Sequence, residues 1–219
     1  MYIVFLVEDA SGGALIDTIM KKYIVNHVDL SYNIKSFKGI GTIPKKIKSH
    51  NDIKTQRLLS DLPMYLKGIS KQLEATGKDN AIFVIADCDN KDCAKFKEQL
   101  TALVSENLIQ TNTFFCLAIE EVESWLLGDP TAIQKAYPQA RLNSMIGYIP
   151  DSVIGSWELL ADVIYPGGLR KMKKECTTYR EIGTYKCQWA NKIGSCMELG
   201  QNESPSFNHF IKKLNLFVG

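Results

Sequence analysis

Nowhere in this chain do apolar residues run unbroken for the ~18 positions that a membrane-spanning helix requires. The opening Met1–Val7 is apolar, but it has no basic leader and is cut off by Glu8 and Asp9. It reads as neither signal segment nor anchor, so a cytoplasmic protein with no membrane partner is expected. Strong net charge is also missing: 26 Lys plus Arg stand against 24 Asp plus Glu, a formal +2, so no overall field recommends a polyanion. Histidine is scarce, with His27, His50 and His209 isolated from one another. The six cysteines form no CxxC pair, which leaves a zinc site without an evident ligand set and makes disulfides unexpected. There is no GxxxxGK[ST] and no GxGxxG after a strand, which excludes a P-loop ATPase and a dinucleotide fingerprint. The DCDNKD run fails as a calcium loop because Lys91 stands where a ligand belongs. Internal repeats and low-complexity tracts are absent.

What is present is an alternation of buried strands and amphipathic helices. Tyr2–Val7, Ala81–Ala86 (AIFVIA) and Thr113–Ile119 (TFFCLAI) are continuous apolar runs of strand length, and Tyr32–Phe37 alternates weakly. Between them, Leu15, Ile16, Ile19, Met20 and Tyr23 repeat at helical spacing. So do Leu58, Leu59, Leu62, Leu66, Ile69 and Leu73, around a Pro63 expected to kink or break that helix, and Phe96, Leu100, Leu103 and Val104. The order β-α-β-α-β-α-β predicts a parallel sheet with helices on both faces. Beyond Pro130 the strand signal fades into helical segments near Trp157–Ile164, Tyr179–Met197 and Pro205–Phe217, the last with Ser204 as its cap. The expected organisation is an α/β domain over residues 1–130 and a mainly helical subdomain over residues 131–219 packed on it.

Strand ends carry the acidic residues. Glu8 follows the first strand, Asp87-Cys88-Asp89 the third, and Glu120, Glu121 and Glu123 the fourth. In a parallel sheet these loops share one edge, so the carboxylates are expected to converge there. Converging negative charge calls for a cation, and carboxylates without clustered His or Cys favour Mg²⁺ or Mn²⁺. Ser11, Gly12 and Gly13 open the first helix and are candidates to receive a phosphate on helix N–H groups. Lys38, with Lys35, Lys45, Lys46, Lys48, Lys54 and Arg57 in one lysine-rich stretch that starts within the second strand, is a candidate to neutralise phosphates. Arg170, Lys171, Lys173 and Lys174 form a second basic cluster. Trp125, Trp157 and Trp189 sit among aliphatics at helical spacing, a pattern more usual for core than for base stacking.

The segments FLVED, FVIADCD and AIEEVESWLLGD together resemble the Toprim fold of topoisomerases, primases and OLD-type nucleases. Within it they resemble the bacterial DUF4276 family, and SPSFNHFIKKL near the end also resembles that family's C-terminal signature. The resemblance spans most of the chain and implies a Toprim-like (Rossmann-like) α/β fold. It implies Glu8 as metal ligand and general acid/base, Asp87 and Asp89 as the metal-binding pair, and Glu120 and Glu123, on one helical face at i and i+3, as ligands of a second metal. Lys186 is placed as a cation near the transition-state phosphate. Asp9 departs from the pattern, standing where most Toprim sequences have glycine.

The function so implied is metal-dependent hydrolysis of nucleic-acid phosphodiesters, DNA ahead of RNA, with in-line attack by an activated water. By analogy it extends to anti-phage defence beside a separate ATPase; homodimerisation stays open. Two other readings compete. One is a Toprim-like module that binds nucleic acid or nucleotide without chemistry, and the other a small-molecule phosphohydrolase, against which Asn90-Lys91 after Asp89 breaks the DxDxT pattern.

Overall fold

A computed structural model describes residues 1–44, 56–77, 79–152 and 155–219. The lysine-rich stretch from Lys45 to Thr55 lies outside the described residues. Four strands, β1 (Tyr2–Val7), β2 (Ser31–Ser36), β3 (Asn80–Asp87) and β4 (Asn112–Ala118), form one sheet in the order β2-β1-β3-β4 with every pairing parallel. Three helices, α1 (Ala10–Tyr23), α2 (Leu58–Glu74) and α3 (Cys93–Glu106), make the crossovers. α2 runs through Pro63, which removes one backbone donor from the helix without ending it.

The period of two along each strand divides the core. Ile3, Phe5 and Val7 of β1, with Ala81, Phe83 and Ile85 of β3, face α1 and the C-terminal helices, while Val4, Leu6, Ile82 and Val84 face α2 and α3. Being covered on both sides, β1 and β3 read as unbroken apolar runs; β2 sits at an edge, half exposed, and reads weakly. Since α1 and α2 lie on opposite faces, strand order reverses between β1 and β3, and the crevice of the sheet opens at their carboxyl ends.

The remaining helices are α4 (Glu123–Leu127), α5 (Pro130–Ala136), α6 (Ser156–Ile164), α7 (Gly168–Glu175), α8 (Tyr179–Cys196) and α9 (Pro205–Val218). Ser204 caps α9, its Oγ accepting from Phe207 N–H at 3.2 Å. These helices add to the β1–α1 side of the sheet, in a buried cluster that runs unbroken across position 130. Trp125 is wholly buried there, its ring stacked 5.4 Å from Phe210 and its Nε1 donating to Ser206 Oγ at 2.8 Å. Trp189 is also buried, so neither ring is presented to a base. The chain is thus an α/β Rossmann-like fold with C-terminal helices. No helix among the described residues is long and apolar enough to cross a membrane.

One expectation is corrected. Cys88 and Cys93 are joined by a disulfide. α3 begins at Cys93, immediately after the β3 turn, and this brings the two Cα atoms to 6.0 Å, within bridging reach.

Candidate functional site

Glu8 and Asp87 meet at the crevice. β1 and β3 are in register to their ends, and Glu8 Oε2 accepts a hydrogen bond from the Asp87 backbone N–H at 3.0 Å. Asp87 Oδ1 accepts from the Val122 N–H at 3.1 Å, which ties β3 to the segment leading into α4. Glu123, the first residue of α4, is 1% exposed, and Glu121 borders it. Lys186 reaches in from α8, with Nζ 3.1 Å from Glu123 Oε2 and 3.4 Å from Glu121 Oε1. Three strand ends and a distant helix thus contribute four carboxylates and one ammonium to a mostly buried cluster.

The electrostatics follow from that burial. Loss of water raises Glu8 to about 7; the Asp87 N–H opposes this, and the charges of Asp89 and Asp9 add to it. Asp87 is pushed well above the usual carboxylate range by desolvation, then by Glu8 and Glu123. Desolvation lifts Glu121 to about 7 and raises Glu123, with Lys186 pulling both back down. Burial alone would make Lys186 less basic, but the carboxylates of Glu123, Glu121 and Asp87 outweigh it and hold its pKa above the ordinary value. The cluster is short of positive charge, and Lys186 is its one buried cation among the described residues.

A family model described as Domain of unknown function (DUF4276) matches residues 7–215, which takes in every residue of this cluster. The chain belongs to the DUF4276 family. Comparison with curated proteins and with solved structures gives no match.

Other expected site residues of this DUF4276 protein are placed differently from the cluster. Asp89 lies exposed in the turn, in a left-handed conformation (φ 47°), with its carboxylate 2.5 Å from Lys91 Nζ. Glu120 and Glu123 do not share a helical face. α4 starts only at Glu123, whereas Glu120 holds a left-handed conformation (φ 62°) and its carboxylate accepts from the Gly155 and Ser156 N–H groups at the start of α6. Charge and hydrogen bonds at a helix start explain that choice.

The start of α1 is similarly occupied by the chain's own acid. Asp9 Oδ1 accepts from Gly12 N–H at 2.7 Å, and Asp9 Oδ2 from Ser11 Oγ at 2.8 Å. Gly12 and Gly13 serve packing: a Cβ on Gly12 would fall 2.8 Å from Val7 Cγ1, and one on Gly13 2.1 Å from Ser36 Oγ. Lys38 is exposed just beyond β2, where the Gly39 N–H donates to the Glu8 carbonyl and brings the loop to the crevice. Of the second basic cluster, Lys171 pairs with Glu175 and Lys173 with Glu158.

Sequence reasoning did not assign Glu121 and gave Lys186 no carboxylate partner. The acidic run after β4 signals the first; the second depends on how α8 is rotated against the sheet. Asp9 had a readable signal as an aspartate directly before a helix.

The donor set suits a hard divalent cation. Glu8, Asp87 and Glu123 offer only oxygen, and both Glu123 oxygens and Glu121 Oε2 are buried without a hydrogen-bond partner among the described residues. Lys186 meets Glu123 as an ion pair rather than as an aligned hydrogen bond. Among the described residues no three His, Cys, Asp or Glu side chains already converge on one metal-sized point.

Proposed function

We propose that this DUF4276 protein is a Toprim-like, Mg²⁺- or Mn²⁺-dependent nuclease related to the OLD type, hydrolysing nucleic-acid phosphodiesters with DNA ahead of RNA. One observation carries the reading: carboxylates from the ends of β1, β3 and β4 are gathered in a desolvated crevice, where Glu123 Oε1 is buried without a partner among the described residues. Glu8, Asp87 and Glu123 would hold the cation. Such a cation, when bound, polarises a phosphoryl oxygen and acidifies a coordinated water.

The protein groups divide the rest of the work. Glu8 would accept the proton of an attacking water and return it to the leaving oxygen, with the bound cation lowering the pKa that burial raises. Lys186 stays protonated and supplies fixed positive charge beside the carboxylates, where developing phosphate charge would be met. Lys38, exposed at the rim, is free to meet the backbone of a strand entering the crevice.

The test is cleavage of supercoiled and linear DNA, and of RNA, with Mg²⁺, Mn²⁺ or chelator, comparing the protein with Asp87→Ala and Glu8→Ala. Metal-dependent cutting lost in both variants is expected. Cutting that survives both, or that ignores the metal, overturns the assignment.

A second reading has its own observation. Asp9 fills the α1 start and Lys91 holds Asp89, so two of the groups expected to handle phosphate and metal are already engaged within the chain. A Toprim-like module that binds nucleic acid without cutting it, beside a partner such as a separate ATPase, would show metal-dependent binding and no cleavage in the same assay.

A further inference from the structure

Outside the carboxylate cluster, the described surface holds a cavity of about 400 Å³ between α3, β4 and the start of α9. That volume falls in the ~300–1,000 Å³ range of small-molecule sites. Leu117 of β4 and Ile119 just beyond its end line it from the sheet; Ala94 lines it from α3 and Pro205 from α9. The lining is thus mostly apolar and lies between two helices.

Its polar groups are arranged for an anion. Lys97 of α3 and His209 of α9 meet with Nζ 3.3 Å from Nε2. No carboxylate pairs with Lys97 among the described residues. Asp151 is the acid in the lining, and it is already spent: Oδ1 accepts from Ser204 Oγ and Oδ2 from Ser206 N–H. Burial first, then Lys97, Lys213 and Lys212, lower the pKa of His209. With the Asp151 carboxylate turned to Ser204 and Ser206, His209 is held next to other basic groups, the environment that a bound anion would relieve.

The cavity is also tied to the crevice through the chain. Cys93 in its lining is bonded to Cys88, which separates Asp87 from Asp89, and Ile119 directly precedes Glu120. We propose that this cavity is a nucleotide subsite, taking a base between α3 and α9 and its phosphate at Lys97 and His209. In placing the subsite beside a cleavage centre the inference rests on the nuclease reading; the nucleotide chemistry itself does not.

The experiment titrates the whole protein, without metal, with adenosine 5′-monophosphate, inorganic phosphate, or a short single-stranded oligonucleotide, following the His209 imidazole by NMR with His209→Asn to assign it. The monophosphate should shift the His209 signals and raise its pKa. Ala94→Trp, which fills the cavity from an exposed position, and Lys97→Gln should each weaken binding by about tenfold or more, the loss of ~1.4 kcal/mol. If the oligonucleotide displaces the monophosphate, the nucleotide recognised is part of a strand; if it does not, the ligand is a free mononucleotide. An unmoved His209 at millimolar monophosphate, an equal shift from phosphate alone, or undiminished binding by Ala94→Trp overturns the subsite. Cleavage without monophosphate binding removes the subsite and leaves the nuclease; monophosphate binding without any cleavage does the reverse.

Discussion

Replacing Lys186 with methionine removes the buried cation of the carboxylate cluster while keeping most of the side chain's length. Lys186 is 13% exposed, Glu123 1% and Glu121 20%, so the two contacts at 3.1 and 3.4 Å are poorly screened by solvent. Removing one partner of a buried ion pair costs about 3–5 kcal/mol, and the partial exposure of Glu121 favours the lower end, about 3. In a domain of this size ~1 kcal/mol moves Tm by about 2–4 °C, so a fall of roughly 6–12 °C is expected near pH 8. The deficit should depend on pH. Glu121 is already lifted to about 7, and without Lys186 both it and Glu123 rise further. A carboxyl whose folded pKa is raised lends stability below its unfolded pKa and loses it as pH climbs through the folded value. At pH 5 the folded variant therefore carries neutral carboxyls and much of the deficit disappears. Thermal and urea unfolding followed by tryptophan fluorescence, with Trp125 buried as reporter, measures both effects. Lys186→Met with Glu123→Gln should regain stability, since both charges are then gone. A loss of under about 1 kcal/mol at pH 8, or one equal at pH 5 and pH 8, would show that Lys186 does not neutralise this cluster.

Glu8 gives a simpler titration. Raised from 4.5 to about 7, it should cost the fold about 3 kcal/mol as pH climbs through that window, and Glu8→Gln should flatten the slope in urea unfolding; an unchanged slope counts against its burial. Glu120→Ala removes the acceptor at the α6 start and should destabilise by about 1–2 kcal/mol by calorimetry while leaving Mg²⁺ affinity unaltered; a large loss of affinity would return Glu120 to the metal. Gly13→Ala places a methyl against Ser36 Oγ, which must rotate away, so by calorimetry it should be near neutral despite the ~1 kcal/mol that alanine gains over glycine in a helix, and adding Ser36→Ala should release that gain; a Gly13→Ala as stabilising alone as with Ser36→Ala would mean that α1 does not approach β2 this closely.

The sheet was legible because its two central strands are buried on both faces, a condition that leaves little but apolar residues between Tyr2 and Val7 and between Ala81 and Ala86. Glu8 and Asp87 were legible for a related reason: in parallel strands, the residue after the apolar run marks the edge where chemistry gathers. Glu120 was harder, because i and i+3 spacing implies a shared face only if a helix covers both positions. Its left-handed backbone breaks that assumption. The pairing of Lys186 with Glu121 and Glu123 was invisible, since it depends on the rotation of α8 about its axis. The Cys88–Cys93 bridge had no signal in spacing alone, as nothing in the sequence states how sharply the chain turns between β3 and α3.

That late lysine has a bearing on how the protein is made. The ribosome delivers β1, β3 and the start of α4 well before it delivers α8, and domains begin to assemble from the amino-terminal side during synthesis. Until Lys186 emerges, Glu8, Asp87, Glu121 and Glu123 have no buried cation to offset them, so the nascent sheet must keep this edge hydrated or protonated. Burial of this acidic edge is therefore expected to wait on α8, and a chain stalled before Lys186 would present a sheet whose acidic edge is still open to water.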